Sequence, residues 1–243
     1  MIALLKKEIN SFLNSLIGYM VIIVFLMSVG LFMWVFPGDS NILDNGFANI
    51  DTLFVIAPFI FMFLVPAVTM RSFAEEYRQG TIELLLTKPL TELQIVLAKY
   101  LANVILVVLS LLPTLVFVYS VYQLGAPVGN IDMGGTWGSY LGLLFLSAGF
   151  AAIGVFASSL TSNQIVAFII GVFLSFFFYT GFQSVSTLPM FSGFDYLILS
   201  LGIQEHYISM SRGVIDTRDM IYFLSLIVLF ILLTKVSLES RKW

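Results

Sequence analysis

The chain has 243 residues, 59% of them hydrophobic and only 10% charged, with a net charge of −3 and a mean hydropathy of +1.02. A soluble surface carries roughly a quarter to a third of charged residues, so this composition excludes a water-soluble globular protein and leaves an integral membrane protein. The absence of cysteine excludes a disulfide framework, thiol chemistry and thiolate metal sites, and at about 20 residues per span the length accommodates about six spans with little left for a soluble domain.

The first element is amphipathic. Ile2, Leu5, Ile9, Phe12, Leu13 and Leu16 recur at three- and four-residue steps, with Lys6, Lys7, Asn10 and Asn14 on the other faces. Residues 1–14 are therefore expected to form an interfacial elbow helix, with Lys6 and Lys7 toward anionic lipid headgroups and Phe12 on the apolar side. The plain alternative is an extension of the following span. Residues 15–36 carry no lysine, arginine, glutamate or aspartate and are long enough to cross about 30 Å of hydrocarbon. The run exceeds the roughly 7 to 15 residues of a signal-peptide core and has no convincing small-x-small cleavage site, which favours a retained span. Further apolar runs cover 52–70, with kinks expected at Pro58 and Pro66, then 100–122 with Pro113, 140–160, 165–182 and 220–234, giving six.

Short flanking loops set the orientation. Residues 1–14, 71–99, 159–164 and 235–243 would share one side, and they hold Lys6, Lys7, Arg71, Arg78, Lys88, Lys99, Lys235, Arg241 and Lys242, nine of the eleven basic residues. Arg212 and Arg218 fall on the other side. Both termini and the 71–99 segment are thus expected in the cytoplasm, with the acidic and glycine-rich loops 37–51 and 123–139 outside.

The 71–99 segment concentrates eight charges in an otherwise oily chain. A helix over 72–86 would display Arg71, Glu75, Glu76, Arg78 and Gln79, with a turn permitted at Gly80. Thr81, Ile82, Leu84, Leu85 and Leu86 then give a short apolar face bearing Glu83. The Lys88-Pro89 pair stops that helix, and Thr91 caps the next one. On the pattern alone, this is either a short helix held against the membrane with polar and apolar contacts on offer, or an ordinary solvated loop.

Residues 183–219 are too apolar for a free loop, with Leu188, Met190, Phe191, Phe194, Tyr196, Leu197, Ile198, Leu199 and Leu201 close together, and a re-entrant or interfacial helical pair is expected to shield them. His206 beside Glu205 lacks the nearby ligands of a metal centre and reads as a polar loop residue. Small residues at Ser147, Ala148, Ala151, Ala152, Gly154, Gly171 and Ser175 allow close helix approach. The predicted spans contain no Asp, Glu, Lys, Arg or His, so neither an intramembrane protease dyad nor a proton relay is evident. No G-x-x-x-x-G-K-[ST] phosphate loop occurs, so any ATP that drives this chain is bound by another polypeptide. No constellation for base, sugar or metal recognition is present, and no nucleic-acid partner is expected.

The string EEYRQGTIELLLTKPLT resembles the segment between spans two and three of type 2 ABC exporter permeases, where E-x-x-x-G-T-x-E-x-L-x-x-x-P recurs. Glu76, Gly80, Thr81, Glu83, Leu85 and Pro89 carry the match. The later string HYISMSRGVIDTRDMIYF is similar to the stretch before the last span in a subgroup of these permeases, the gliding-motility-associated, GldF-type chains. The resemblance implies an all-α permease domain over residues 1–243: six transmembrane helices, the elbow at 1–14, a cytoplasmic coupling region at 71–92 and an extracytoplasmic re-entrant segment at 183–219. It implies that Glu75, Glu76, Arg78, Gly80, Thr81, Glu83, Leu85 and Pro89 meet a separate ABC ATPase, GldA-like in this subgroup, and that Arg212, Gly213 and Asp216 lie near an outward gate. The second permease chain would be a distinct GldG-like subunit, otherwise a second copy. The setting is the inner membrane, ATP is met only through the partner, and the permease would itself be no enzyme. The competing expectation is a membrane anchor or signalling subunit of a gliding and secretion complex that docks an ATPase and transports nothing.

Overall fold

The structure is a computed structural model describing residues 1–191, 193–213 and 215–240, without the side chains of Ile17, Leu86 and Phe191. Val214, Arg241 and Lys242 lie outside the described residues. Among the described residues every regular element is helical: α1 (Ile2–Leu13), α2 (Leu16–Trp34), α3 (Ile42–Asn45), α4 (Asp51–Thr69), α5 (Arg71–Gln79), α6 (Ile82–Leu86) and α7 (Glu92–Leu111). A 3-10 turn, Leu112–Thr114, leads into α8 (Leu115–Leu124), followed by α9 (Met133–Leu160) and α10 (Gln164–Phe176). After a π-helical stretch, Phe177–Gly181, come α11 (Phe182–Ser186), α12 (Asp195–Leu199), α13 (Ile203–Ser211) and α14 (Thr217–Ser240).

Five continuous helical runs are long and apolar enough to cross a membrane: Asp51–Gln79, Glu92–Leu124, Met133–Leu160, Gln164–Ser186 and Thr217–Ser240. The pair Ile2–Leu13 and Gly18–Trp34, bent by 62°, makes a sixth if counted as one span. The bend has a local cause. Ser15 accepts from the Gly18 N–H and donates to the Phe12 carbonyl, and a Cβ at Gly18 would stand 2.5 Å from that carbonyl oxygen. Only glycine lets the two backbones pass this closely.

The spans run longer than the hydropathy runs, because helix caps lie in polar sequence beyond the apolar core. Thr91 and Gln94 form a reciprocal capping box, so the helix of the third span starts at the expected Thr91 cap, ahead of the apolar run at 100. Asp132 caps α9 by accepting from the Gly135 N–H at 2.9 Å. The second run stays helical through Pro58 and Pro66 and continues into α5. Pro113, which has no N–H to give, falls in the 3-10 turn, where Thr114 bonds the Leu111 carbonyl at 2.6 Å. The extensions also bring charge into the helices: Lys99 lies in α7 and Asp219 in α14, both buried, contrary to the expectation of spans free of ionisable groups.

Helix α9 is the axis of the bundle, packing against α4, α7, α10, α13 and α14. Its window is 72% buried, against 22% for Gln164–Ser186. Small residues make this possible. A Cβ at Gly154 would overlap the Thr69 hydroxyl of α4, one at Gly171 of α10 would come to 3.1 Å from Pro66, and one at Gly142 would come to 2.9 Å from Met210 of α13.

Two sequence expectations need correction. The buried residues of α1 are Leu4 and Phe12, while Ile2 is 79% exposed, so the inward face is rotated from the expected stripe toward Leu4, Glu8 and Phe12. A polar residue at its centre hid this face. In the 183–219 connection the helices form, but Leu188, Met190, Phe194, Tyr196, Leu197 and Leu201 remain exposed on this chain. What packs inward instead is α13, through Ile203, Tyr207 and Met210, because the glycines of α9 admit its backbone.

Candidate functional site

The charged segment folds as two helices. Gly80 takes φ +68 and ends α5, donating its N–H to the Tyr77 carbonyl at 3.2 Å, while the Thr81 N–H reaches the Glu76 carbonyl at 3.0 Å. This left-handed closure suits glycine. The chain reverses into α6, which ends at Leu86, two residues ahead of Lys88-Pro89.

Beneath this turn lies a buried ion cluster that the charge pattern alone did not indicate. Lys99, 2% exposed, places its Nζ 3.0 Å from Glu76 Oε1 of α5 and 3.1 Å from Glu8 Oε1 of α1. The ammonium also stands 5.2 Å from the centroid of the Phe73 ring. Lys7, largely in water, adds a looser contact at 3.8 Å to Glu8 and 3.9 Å to Glu76. One turn further along α7, Asn103 donates to the Ser72 hydroxyl at 2.9 Å and to the Lys99 carbonyl at 2.8 Å. Ser72 with Glu76, and Lys99 with Asn103, are thus two rungs between antiparallel helices, each pair four residues apart on one face.

A second polar tie fixes the junction of α4 and α5. Ser158 of α9 accepts from the Phe73 and Ala74 N–H groups at 2.9 and 3.1 Å and donates to the Met70 carbonyl at 2.9 Å. Its hydroxyl occupies the place where the helix ladder is interrupted.

The expected interface residues separate into inner and outer sets. Glu76 points into the bundle and Leu85 is buried, whereas Arg78, Gly80, Glu83, Leu84, Lys88 and Pro89 are exposed. Glu75 is ion-paired to Arg71 at 2.9 Å and accepts from Gln79 at 3.2 Å, and Thr81 starts α6. Lys6 and Lys7 are exposed and Phe12 is buried. Between the two sets is a cleft of about 350 Å³ with Lys7, Glu8, Arg71, Glu76, Lys88 and Lys99 among its lining. The two glutamates thus have different surroundings: Glu76 is part of the cleft's ionic floor, and Glu83 faces outward. The C-terminal helix ends beside this site, with Ser237 bonded to the Ser159 carbonyl at 3.2 Å.

Arg212, Gly213 and Asp216 lie at the opposite end of the bundle. Gly213, at φ +80, presses against Gly135 and Gly138 of α9, and the Ser211 carbonyl accepts from Ser139 at 2.6 Å. Arg212 lines a cleft of about 440 Å³ with Asn49, Asp51, Asp132 and Thr136. Asp216 is exposed and accepts from the Arg218 N–H at 2.9 Å. Nearby, His206 belongs to α13 and is no loop residue: Nδ1 is 2.7 Å from Asp219 Oδ1, Nε2 is 2.9 Å from the Ser200 carbonyl, and the ring stacks on Tyr222 at 3.9 Å. Tyr207 donates to the Phe54 carbonyl at 2.6 Å, and burial, with a smaller contribution from Tyr179, pushes its phenol well above the usual value.

A family model described as ABC-2 family transporter protein matches residues 37–236. The chain belongs to the ABC-2 transporter family. No curated protein matches it. The matched stretch runs from the end of the first span into α14, so the ABC-2 match contains Glu76, Lys99 and Ser158 while Glu8 precedes it. ABC-2 chains are multi-pass membrane components of transporters that partner an ABC ATPase. Glu8, Ser72, Asn103 and Ser158 were missed in the sequence, and Lys99 was counted with the cytoplasmic-side charges on the helix entering the third span, its burial unforeseen. The available signal was polar spacing inside apolar helices, Ser72 with Glu76 and Lys99 with Asn103.

Proposed function

We propose that this ABC-2 chain is the permease subunit of an ATP-driven exporter of the gliding-motility-associated, GldF-like kind, and that its α5–α6 turn receives the motion of a separate, GldA-like ATPase. Residues 1–243 act as one permease unit in the inner membrane, with α1 as the elbow and residues 71–92 as the coupling region on the cytoplasmic side. The second membrane chain is a GldG-like subunit or, failing that, a second copy. Residues 183–219, with Arg212, Gly213 and Asp216, form the outward region. The chain binds no nucleotide itself.

The observation that carries this reading is the outer surface of α5 and α6 standing on the Lys99 cluster. Leu84, Glu83, Arg78 and Lys88 offer a mixed apolar and charged contact, while Glu76 beneath them is tied to the third span and Ser158 ties the same helix to the fourth. Force applied to such a surface is passed to packed helices as rigid-body or hinge motion.

Co-expression with a candidate ABC ATPase from the same genome tests the reading. The affinity-tagged permease should retain the ATPase, Glu83→Ala with Leu84→Ala should reduce retention, and vesicles holding the complex should move or extract a lipid, peptide or glycan only with ATP. Hydrolysis with intact docking and no transported species would instead establish the anchor reading. Failure of the wild-type chain to retain the ATPase would remove the permease assignment made here.

A further inference from the structure

The geometry points to Lys99 as a positioning residue that locks α1 to α5, so that the elbow and the α5–α6 surface move as one body; its part in coupling rests on the proposed ATPase docking. The inference starts from an asymmetry of attachment. Helix α5 is keyed to α7 twice, by Glu76–Lys99 and Ser72–Asn103. Helix α1 meets α7 through Glu8, which reaches the same ammonium at 3.1 Å. The remaining inward residues of α1, Leu4 and Phe12, make apolar contacts that specify no single position along α7.

One cation therefore holds two carboxylates from different helices. An ammonium has three donors and no acceptor, and burial at 2% exposure leaves little water to replace a lost partner. Without the Lys99 charge, Glu8 and Glu76 would face each other with only Lys7 between them, on a side chain 66% exposed and 3.8 to 3.9 Å away. Repulsion then separates α1 from α5. With the charge present, displacement of α5 draws α1 along, and α1 leads through the 62° bend into the first span. Lys99 thus connects the segment between spans two and three with span one, two regions 91 residues apart from Glu8 to Lys99.

The absence of native cysteine allows a clean test. Spin labels at Ser11→Cys on α1 and Gln79→Cys on α5, both exposed positions, report the spacing of the two helices in nanodiscs containing the full chain. Lys99→Met is expected to lengthen the distance and broaden its distribution, whereas Lys88→Met, which removes an exposed lysine from the same cleft, leaves both unchanged. The exchange Lys99→Glu with Glu76→Lys restores charge balance and is expected to recover most of the wild-type distribution. Glu8→Gln, which keeps the Lys99–Glu76 pair, serves if Lys99→Met does not fold, and should release α1 alone. An unchanged distribution in Glu8→Gln, or no recovery in the exchange variant where Lys99→Met folds and shifts, would overturn the lock. ATPase retention is read in parallel. Loss of retention by the wild-type chain with a normal response to Lys99→Met refutes the docking surface and leaves the lock standing.

Discussion

The two ends of the bundle hold their polar groups by different means. At the end carrying residues 71–99, Lys99 and Ser158 reach across four helices: Lys99 holds Glu76 and also Glu8, 91 residues away, and Ser158 bonds backbone groups 84 to 88 residues away. At the other end the long-range ties are neutral, Ser139 to the Ser211 carbonyl over 72 residues and Tyr207 to the Phe54 carbonyl over 153, and His206 reaches Asp219 over 13, while Met190, Phe194 and Tyr196 remain exposed on this chain. Buried charge is costly unless paired, so long-range ionic ties persist where relative helix positions must be specified. The first end places its buried charge between helices distant in sequence, whereas the second pairs His206 and Asp219 on neighbouring helices beside a surface exposed on this chain.

The largest effect should come from Lys99→Met. Removing one member of a buried ionic cluster typically costs about 3 to 5 kcal/mol, here with two carboxylates left facing each other. Thermal unfolding in detergent should shift markedly, and ATPase retention should fall with it. An unchanged melting temperature would mean that water reaches Glu8 and Glu76 freely.

His206→Ala probes the opposite end. It strands a buried carboxylate at Asp219, whose second oxygen already has no hydrogen-bond partner, and removes the Tyr222 stack. A loss of about 2 to 3 kcal/mol is expected, with ATPase retention unchanged if the α5–α6 turn is the docking surface, since that turn is untouched. Reduced retention at matched folded protein would show that the two ends are not independent.

Ser158→Ala should cost somewhat less, about 1 to 2 kcal/mol, by leaving the Phe73 and Ala74 N–H groups and the Met70 carbonyl without their shared partner. Hydrogen exchange of those two amides distinguishes this local loosening from global destabilisation: they should exchange faster while α9 amides stay protected.

The membrane class, the helical architecture and the apolar runs behind five continuous spans, with a sixth if the bent pair counts as one, were legible in the sequence, because a hydrocarbon solvent imposes length and composition directly. The turn at Gly80 and the stop before Pro89 were legible for a similar reason, since backbone restrictions are local. The site was less so. Glu76 and Glu83 both belong to the recurring motif, yet one is half-buried against Lys99 and the other is exposed, a difference fixed by the direction of α7 relative to α5. The helix that Thr91 caps was legible as running through Lys99, but the burial of Lys99 was not, because its partners Glu8 and Glu76 lie on other helices. Ser158 carried no signal of its own: its partners are backbone groups exposed by an interruption at Met70, and side-chain periodicity does not reveal an interrupted ladder.

The smallest effect on stability, and the sharpest on the comparison, is expected from Leu84→Ser. Leu84 is 67% exposed on α6, and a surface substitution of this kind shifts stability by no more than about 0.5 kcal/mol. If α6 docks an ATPase, however, an exposed leucine flanked by Glu83 and Lys88 would become buried on complex formation, and its loss should weaken retention severalfold at an unchanged melting temperature. His206→Ala should do the reverse, lowering the melting temperature while retention holds. Measured side by side, the two substitutions separate docking from folding. If Leu84→Ser leaves retention intact while Glu83→Ala reduces it, the contact is ionic and should weaken with salt; if neither changes it, α6 is not where the partner binds.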